Sequence, residues 1–209
     1  MTPLIMNLKL RSFTILIAVF AFSACDHEND ENVAPDPSVT IEGKKYPTVV
    51  IGTQTWTSVN YAGPGGVGYD DNNSKPEYGR YYSKAELESL TLPQGWRIPN
   101  QEDFKKLAQS YGITLPSHGT ETEKIKSLIS KTDWNHVPGT NASGFNAYAA
   151  GYIFGSSEPI DGDIAEFWTS EGITFSIQEA GAELSSLRAI FYQSDNSPDY
   201  KFNLRFVKD

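Results

Sequence analysis

In this 209-residue chain, oxygen donors and phenols offer more chemistry than nucleophiles do. One acidic cluster is Asp70-Asp71-Asn72-Asn73; a second is Asp161-Gly162-Asp163 with Glu166 just ahead of a Phe-Trp pair. Carboxylate and amide oxygens this close can ligate calcium, and they read equally as Asx turns. No metal site and no cofactor is expected; if calcium binds at all, Asp161, Asp163 and Glu166 are its candidate ligands. Tyr61, Tyr69, Tyr78, Tyr81 and Tyr82 gather around the first cluster. Tyrosine at a wet surface stacks and hydrogen-bonds, which suits a ligand, and alternate tyrosines of a strand also suit packing onto a core. Tyr69, Asp70, Asp71, Asn72, Tyr78 and Tyr82 form the expected ligand-contact set. Trp56, Trp96, Trp134 and Trp168 are expected in the core. His27, His118 and His136 have no metal-ligand spacing between them. With no nucleophile elbow, phosphate loop or zinc-protease motif, no catalytic residue is assigned and a non-enzyme is expected.

The one cysteine, Cys25, follows an export signal. Lys9 and Arg11 precede an apolar run from Phe13 to Phe22, which ends in Ser-Ala-Cys. A run this short does not span a bilayer. It resembles a bacterial lipoprotein box: residues 1–24 are the signal peptide and Cys25 is lipidated, giving the chain its membrane contact. The thiol is thereby spent, and no disulfide is available. The net charge of −9 becomes more negative once Lys9 and Arg11 are removed, which argues against nucleic acid and against anionic lipid surfaces. Residues 25–38 form an acidic, proline-containing tether. An acidic stretch directly after the cysteine resembles the surface-export signal of Bacteroidota lipoproteins, which implies an outer-membrane location facing the cell exterior.

A single domain is expected over residues 39–209, and its elements must position the candidates. Thr48–Ile51 and Thr55–Val59 flank Gly52-Thr53 as a hairpin. Residues 60–78 are too rich in Gly, Asp and Asn for regular structure, and loops of that length commonly carry function. Ser83-Lys-Ala-Glu86 opens a short helix. Asn100 caps a second, with Phe104, Leu107, Ala108 and Tyr111 on one face and Gly112 as its stop. Thr120-Glu-Thr-Glu123 reads as another capping box. Residues 144–154, 166–169, 186–192 and 201–207 are the expected strands, the last with Phe202, Leu204 and Phe206 inward and Asn203 and Arg205 outward. Short helices in the first half and a twisted antiparallel sheet mainly from the second half make an α+β fold.

The run Pro93-Gln-Gly-Trp-Arg-Ile-Pro99 resembles the Fibrobacter succinogenes major paralogous (FISUMP) domain of exported bacterial proteins. So do Tyr46-Pro-Thr-Val-Val-Ile-Gly-Thr-Gln-Thr-Trp56, Val59-Asn-Tyr61, Tyr69-Asp70, Tyr78-Gly-Arg-Tyr-Tyr82, Asn141 to Gly151, Phe167-Trp-Thr-Ser170 and Leu204-Arg-Phe-Val-Lys-Asp209, all in order. The resemblance implies a C-type-lectin-like fold, in which the terminal segments meet and long loops carry the binding surface. It also implies a cysteine bridge where this chain has Leu92 and Phe206. A bridge closing a loop of about a hundred residues contributes roughly 4–5 kcal/mol, and two buried apolar side chains at about 2 kcal/mol each replace it in part. Leu92 and Phe206 are therefore expected in contact. A second common cysteine pair is absent near Gly68 and Lys75-Pro76. The sugar-binding lectin motifs are matched only partly by Ser157-Glu158-Pro159-Ile160 and Trp168-Thr169-Ser170. The expected role is a non-catalytic surface module for an extracellular glycan or surface protein, held by residues 60–78. The alternative is a structural or assembly subunit of a surface complex.

Overall fold

Short-range turn chemistry starts the fold. The computed structural model describes residues 37–155, 157–193 and 197–209; the expected signal peptide, Cys25 and the expected tether up to residue 36 lie outside the described residues. Strand β1 (Ser38–Ile41) turns through Glu42 and Gly43, at φ 47° and 80°, into β2 (Lys44–Ile51). Positive φ at both turn residues gives the twist an antiparallel pair needs. The anticipated hairpin follows as β2 and β3 (Gln54–Thr57), with Ile51 facing Gln54. Next come α1 (Lys84–Leu87), α2 (Gln101–Gln109), β4 (Ser117–His118) and α3 (Thr122–Ile125). The remaining strands are β5 (Ile153–Phe154), β6 (Ile164–Trp168), β7 (Thr174–Ala180), β8 (Ser186–Tyr192), β9 (Tyr200–Lys201) and β10 (Val207–Lys208).

Three sheets result, in orders β1-β2-β3-β10, β4-β8-β7-β6 and β5-β9, and every strand pair is antiparallel. Both terminal strands thus lie in the first sheet, at its opposite edges, with Val207 of β10 opposite Trp56 of β3. The fold is α+β, as expected.

Helix α2 forms as its sequence dictates. The Asn100 side chain accepts from the Asp103 N–H (2.9 Å) and Asp103 accepts from the Asn100 N–H (2.8 Å). Asp103 is also buried, and it accepts from Gln54 (2.7 Å) and from Arg97. Burial opposes its charge, but those donors hold the carboxyl below the usual range. The apolar face of α2 packs Phe104 parallel to Phe175 (4.4 Å) and against Trp56 (5.3 Å), inside a core that includes Phe145, Phe167 and Ile177. A second core gathers Tyr46, Tyr61, Tyr82, Trp168, Leu204 and Phe206, and Leu92 packs against it. Trp56, Trp134 and Trp168 are buried and Trp96 is half-buried.

Four local expectations fail for physical reasons. Residues 144–152 form isolated bridges instead of a strand, because Gly144, Asn146 and Gly151 all take positive φ. No capping box forms at Thr120: Glu121 stands at the N-cap of α3, and its carboxylate accepts from the Thr114 N–H (2.9 Å). The expected strands omit β7, which is flanked by β6 and β8 in the second sheet. The expected strand over 201–207 is broken, with strand only at Tyr200–Lys201 and Val207–Lys208, and its alternation is misleading, since Asn203 and Arg205 are as buried as Phe202 and Leu204.

Arg205 is wholly buried and forms no ion pair among the described residues. Its guanidinium donates to Asn60 Oδ1 (2.7 Å), Thr57 O (2.9 Å), Phe145 O (2.8 Å) and Asn146 O (2.9 Å), between the rings of Phe145 (4.8 Å) and Phe167 (5.6 Å). Burial pushes its pKa down to about 9, so it stays charged at neutral pH. Arg205→Met fills the space but strands four acceptors. It should cost at least ~3 kcal/mol in urea unfolding, with Arg205→Lys intermediate. A loss under ~1 kcal/mol would show that the network is not holding these segments together.

Candidate functional site

The long loop from Asn60 to Tyr78 is irregular apart from a single 3₁₀ turn at Pro76–Tyr78, but it is pinned. Lys75 pairs with Asp161 (2.6 Å) and lies 4.5 Å from the Tyr69 ring centroid and 4.6 Å from that of Tyr78. Tyr69 donates to the same Asp161 carboxylate (3.3 Å). Burial disfavours the Lys75 charge, but Asp161 and the two phenols outweigh it and raise the pKa. At its other end the loop is held by main-chain bonds between Val67 and Tyr81. Arg80 donates to the carbonyls of Gly65 (2.7 Å) and Gly66 (2.8 Å), and Glu86 accepts from the Gly66 N–H (2.7 Å). The tip is a tight turn in which Asp70 accepts from the N–H groups of Asn72 (3.0 Å) and Ser74 (2.9 Å). Ser74 above all keeps that exposed carboxyl below the usual range.

Between this loop and residues 153–159 lies a cleft of about 490 Å³, lined by Tyr69, Asp70, Asp71, Asn73, Arg80 and Glu158 among others. Three of the six expected contact residues, Tyr69, Asp70 and Asp71, therefore share one concave surface, and Asn72 is exposed beside them. Tyr78 and Tyr82 are corrected: both are buried, Tyr78 edge-on to Tyr69 (5.6 Å) and Tyr82 in the second core. Their apolar rings gain more from the core than from solvent.

The second acidic cluster is not gathered into a metal cage. Asp161 is spent on Lys75. Asp163 precedes β6, its carboxyl raised by burial and by Glu179, which itself anchors His136 (2.8 Å). Glu166 accepts from Thr174 within the sheet. Among the described residues no three His, Cys, Asp or Glu converge on a common point.

Glu166 instead belongs to a cavity that sequence reasoning missed. Strand alternation sends Ala165 and Phe167 into the first core and Glu166 to the opposite face of the sheet. There a cavity of about 330 Å³ is lined by Glu166 and Gln178 with Tyr152, Tyr192, Tyr200 and Phe202. Glu166 is 5% exposed. Desolvation pushes its pKa up to about 7, and the Thr174 hydroxyl (2.5 Å) opposes this only in part. The spacing of Tyr200 and Phe202 is the one sequence signal, since residues two apart share a strand face.

Raising a carboxyl from its ordinary 4.5 to about 7 favours the protonated native state, so the contribution of Glu166 to stability is fully present below 4.5 and is lost as pH rises through 7. Glu166→Gln should therefore stabilise the protein at pH 8 by roughly 2–3 kcal/mol and do little near pH 4.5. Thermal unfolding at both pH values checks this, and equal shifts at the two would exclude a buried ionised Glu166.

A family model described as the Fibrobacter succinogenes major domain matches residues 49–208. No curated protein and no solved structure matches the chain.

Proposed function

The chain belongs to the Fibrobacter succinogenes major domain family, and from that premise we propose that it is a non-catalytic binding module for an extracellular glycan or surface protein. In this reading Cys25 carries the lipid, the tether holds the domain off the outer membrane, and the cleft faces the cell exterior. A C-type-lectin-like arrangement accords with both terminal strands lying in one sheet and with the displayed loop.

The observation that carries the reading is the pinned loop. An unanchored loop of this length would lose much conformational entropy on binding, which erodes affinity. Here the Lys75–Asp161 pair, the Arg80 contacts and the Glu86 contact fix that geometry beforehand. The surface left open carries carboxylates, an amide and a half-buried phenol, the groups that hydrogen-bond and stack on a hydroxylated ligand.

Screening the full-length protein against a glycan array and surface polysaccharides tests this. Saturable binding should fall at least about tenfold in Tyr69→Ala and Asp70→Ala, and less in Lys75→Met, which loosens the loop without removing a contact. Undiminished binding by both alanine variants, or no saturable glycan with capture of an outer-membrane protein instead, would overturn the glycan assignment.

A further inference from the structure

Glu166 has one neutral hydrogen-bond donor, Thr174, and no cation in reach among the described residues. Two further polar side chains, Gln178 and Gln193, line the cavity; Gln193 is exposed to solvent, and Gln178 is already engaged. Its Nε2 donates to Ser176 Oγ (2.8 Å) and its Oε1 accepts from Arg188 Nε (2.8 Å) and Nη2. The walls are rings: Tyr200 lies parallel to Phe202 (5.6 Å), and Tyr152 leans on both (6.0 and 5.7 Å). Tyr192 is 36% exposed, so the cavity is open to solvent on its side.

The unmet demand of the cavity is thus a single negative charge among aromatic rings. Calcium does not answer it, since calcium takes six to eight oxygen ligands and one carboxylate is present. An anion would be repelled, and a polyhydroxylated sugar would find few free partners. A compact cation with an apolar stem fits both terms, pairing with the carboxylate and resting against the rings.

We infer that this cavity is a second binding site, separate from the loop cleft, for an alkylammonium group such as a lysyl side chain, seated on Glu166 between Tyr152, Tyr200 and Phe202. The volume of about 330 Å³ lies at the small end of ligand pockets, which suits one side chain better than an oligosaccharide. A bound ammonium would relieve the desolvation of Glu166, so affinity rises with its ionisation. The other titratable groups at the cavity and its floor are the phenols of Tyr152, Tyr192 and Tyr200 and the guanidinium of Arg188. Asp163, just ahead of β6, is the one further carboxyl to control for.

The test is an NMR titration of the full-length protein with Nα-acetyl-lysine amide, its uncharged isostere Nα-acetyl-norleucine amide, and glucosamine. The lysine derivative should saturate at pH 8, at least tenfold more tightly than either comparison ligand. Its affinity should fall roughly thirtyfold by pH 5.5, following the ionised fraction of a group with a pKa of about 7. Glu166→Gln, shown folded by its thermal transition, should abolish both the binding and its pH dependence, while Asp163→Asn keeps them. Equal binding of the norleucine derivative, tighter binding of glucosamine, retention in Glu166→Gln, or no saturation with the lysine derivative would each overturn the assignment. None of these outcomes bears on the loop cleft, which does not contain Glu166.

Discussion

A buried positive charge without a carboxylate partner organises this fold. Burying an ion is costly unless it is hydrogen-bonded, and Arg205 makes four such bonds, to one amide oxygen and three main-chain carbonyls. Those acceptors come from the end of β3, the first residue of the long loop and the irregular segment around residue 145. Two regions distant in sequence, residues 57–60 and 145–146, are thereby fixed to one point on the last segment of the chain. The neighbouring Asn203 extends the same logic, donating to the carbonyls of Tyr78 (3.1 Å) and Arg80 (3.0 Å). Asn60 also donates to Tyr78 O (2.9 Å). Both ends of the long loop are closed by buried amides, so its tip can be polar and exposed while its base is rigid.

That closure explains which parts of the fold were legible beforehand. The β2–β3 hairpin, the Asn100 cap and β8 are written in a few adjacent residues, and the structure forms them at the expected places. The segment 201–207 is different. Its polar positions look like the wet side of a strand, yet Asn203 and Arg205 turn inward to satisfy carbonyls supplied from elsewhere. Hydropathy alternation cannot separate a solvated side chain from a buried one with partners. The same blindness hides β7, whose Thr174, Ser176 and Gln178 alternate with Phe175 and Ile177 but are buried too.

The candidate site was legible to the same degree. Composition locates the cleft residues, because a Gly- and Asp-rich stretch must be a surface loop whatever the rest of the chain does. It does not separate Tyr69, which lines the cleft, from Tyr78 and Tyr82, which fill the core. Glu166 reads in sequence as one acid of an acidic cluster. Its actual role depends on strand parity, which places it on the other face from Phe167 and among rings contributed by residues 152 and 200–202.

The two concavities share a wall, and one glycine makes that wall possible. Tyr152 lines the Glu166 cavity while its neighbour Ile153 lines the loop cleft, as alternate residues of an extended segment must. The strand pair there is only two residues long, Ile153–Phe154 on Tyr200–Lys201, too short to be rigid alone. Its geometry is set by the preceding residue. Gly151 sits at φ 66°, donates to Ile164 O (2.7 Å), and lies so close to the 160–161 backbone that a Cβ would fall 1.6 Å from Ile160 O. A side chain there would push the 151–154 segment away from β6, opening the cavity on one side and displacing Ile153 on the other. The position is glycine for reasons of space and backbone conformation together, and the shapes of both concavities depend on it.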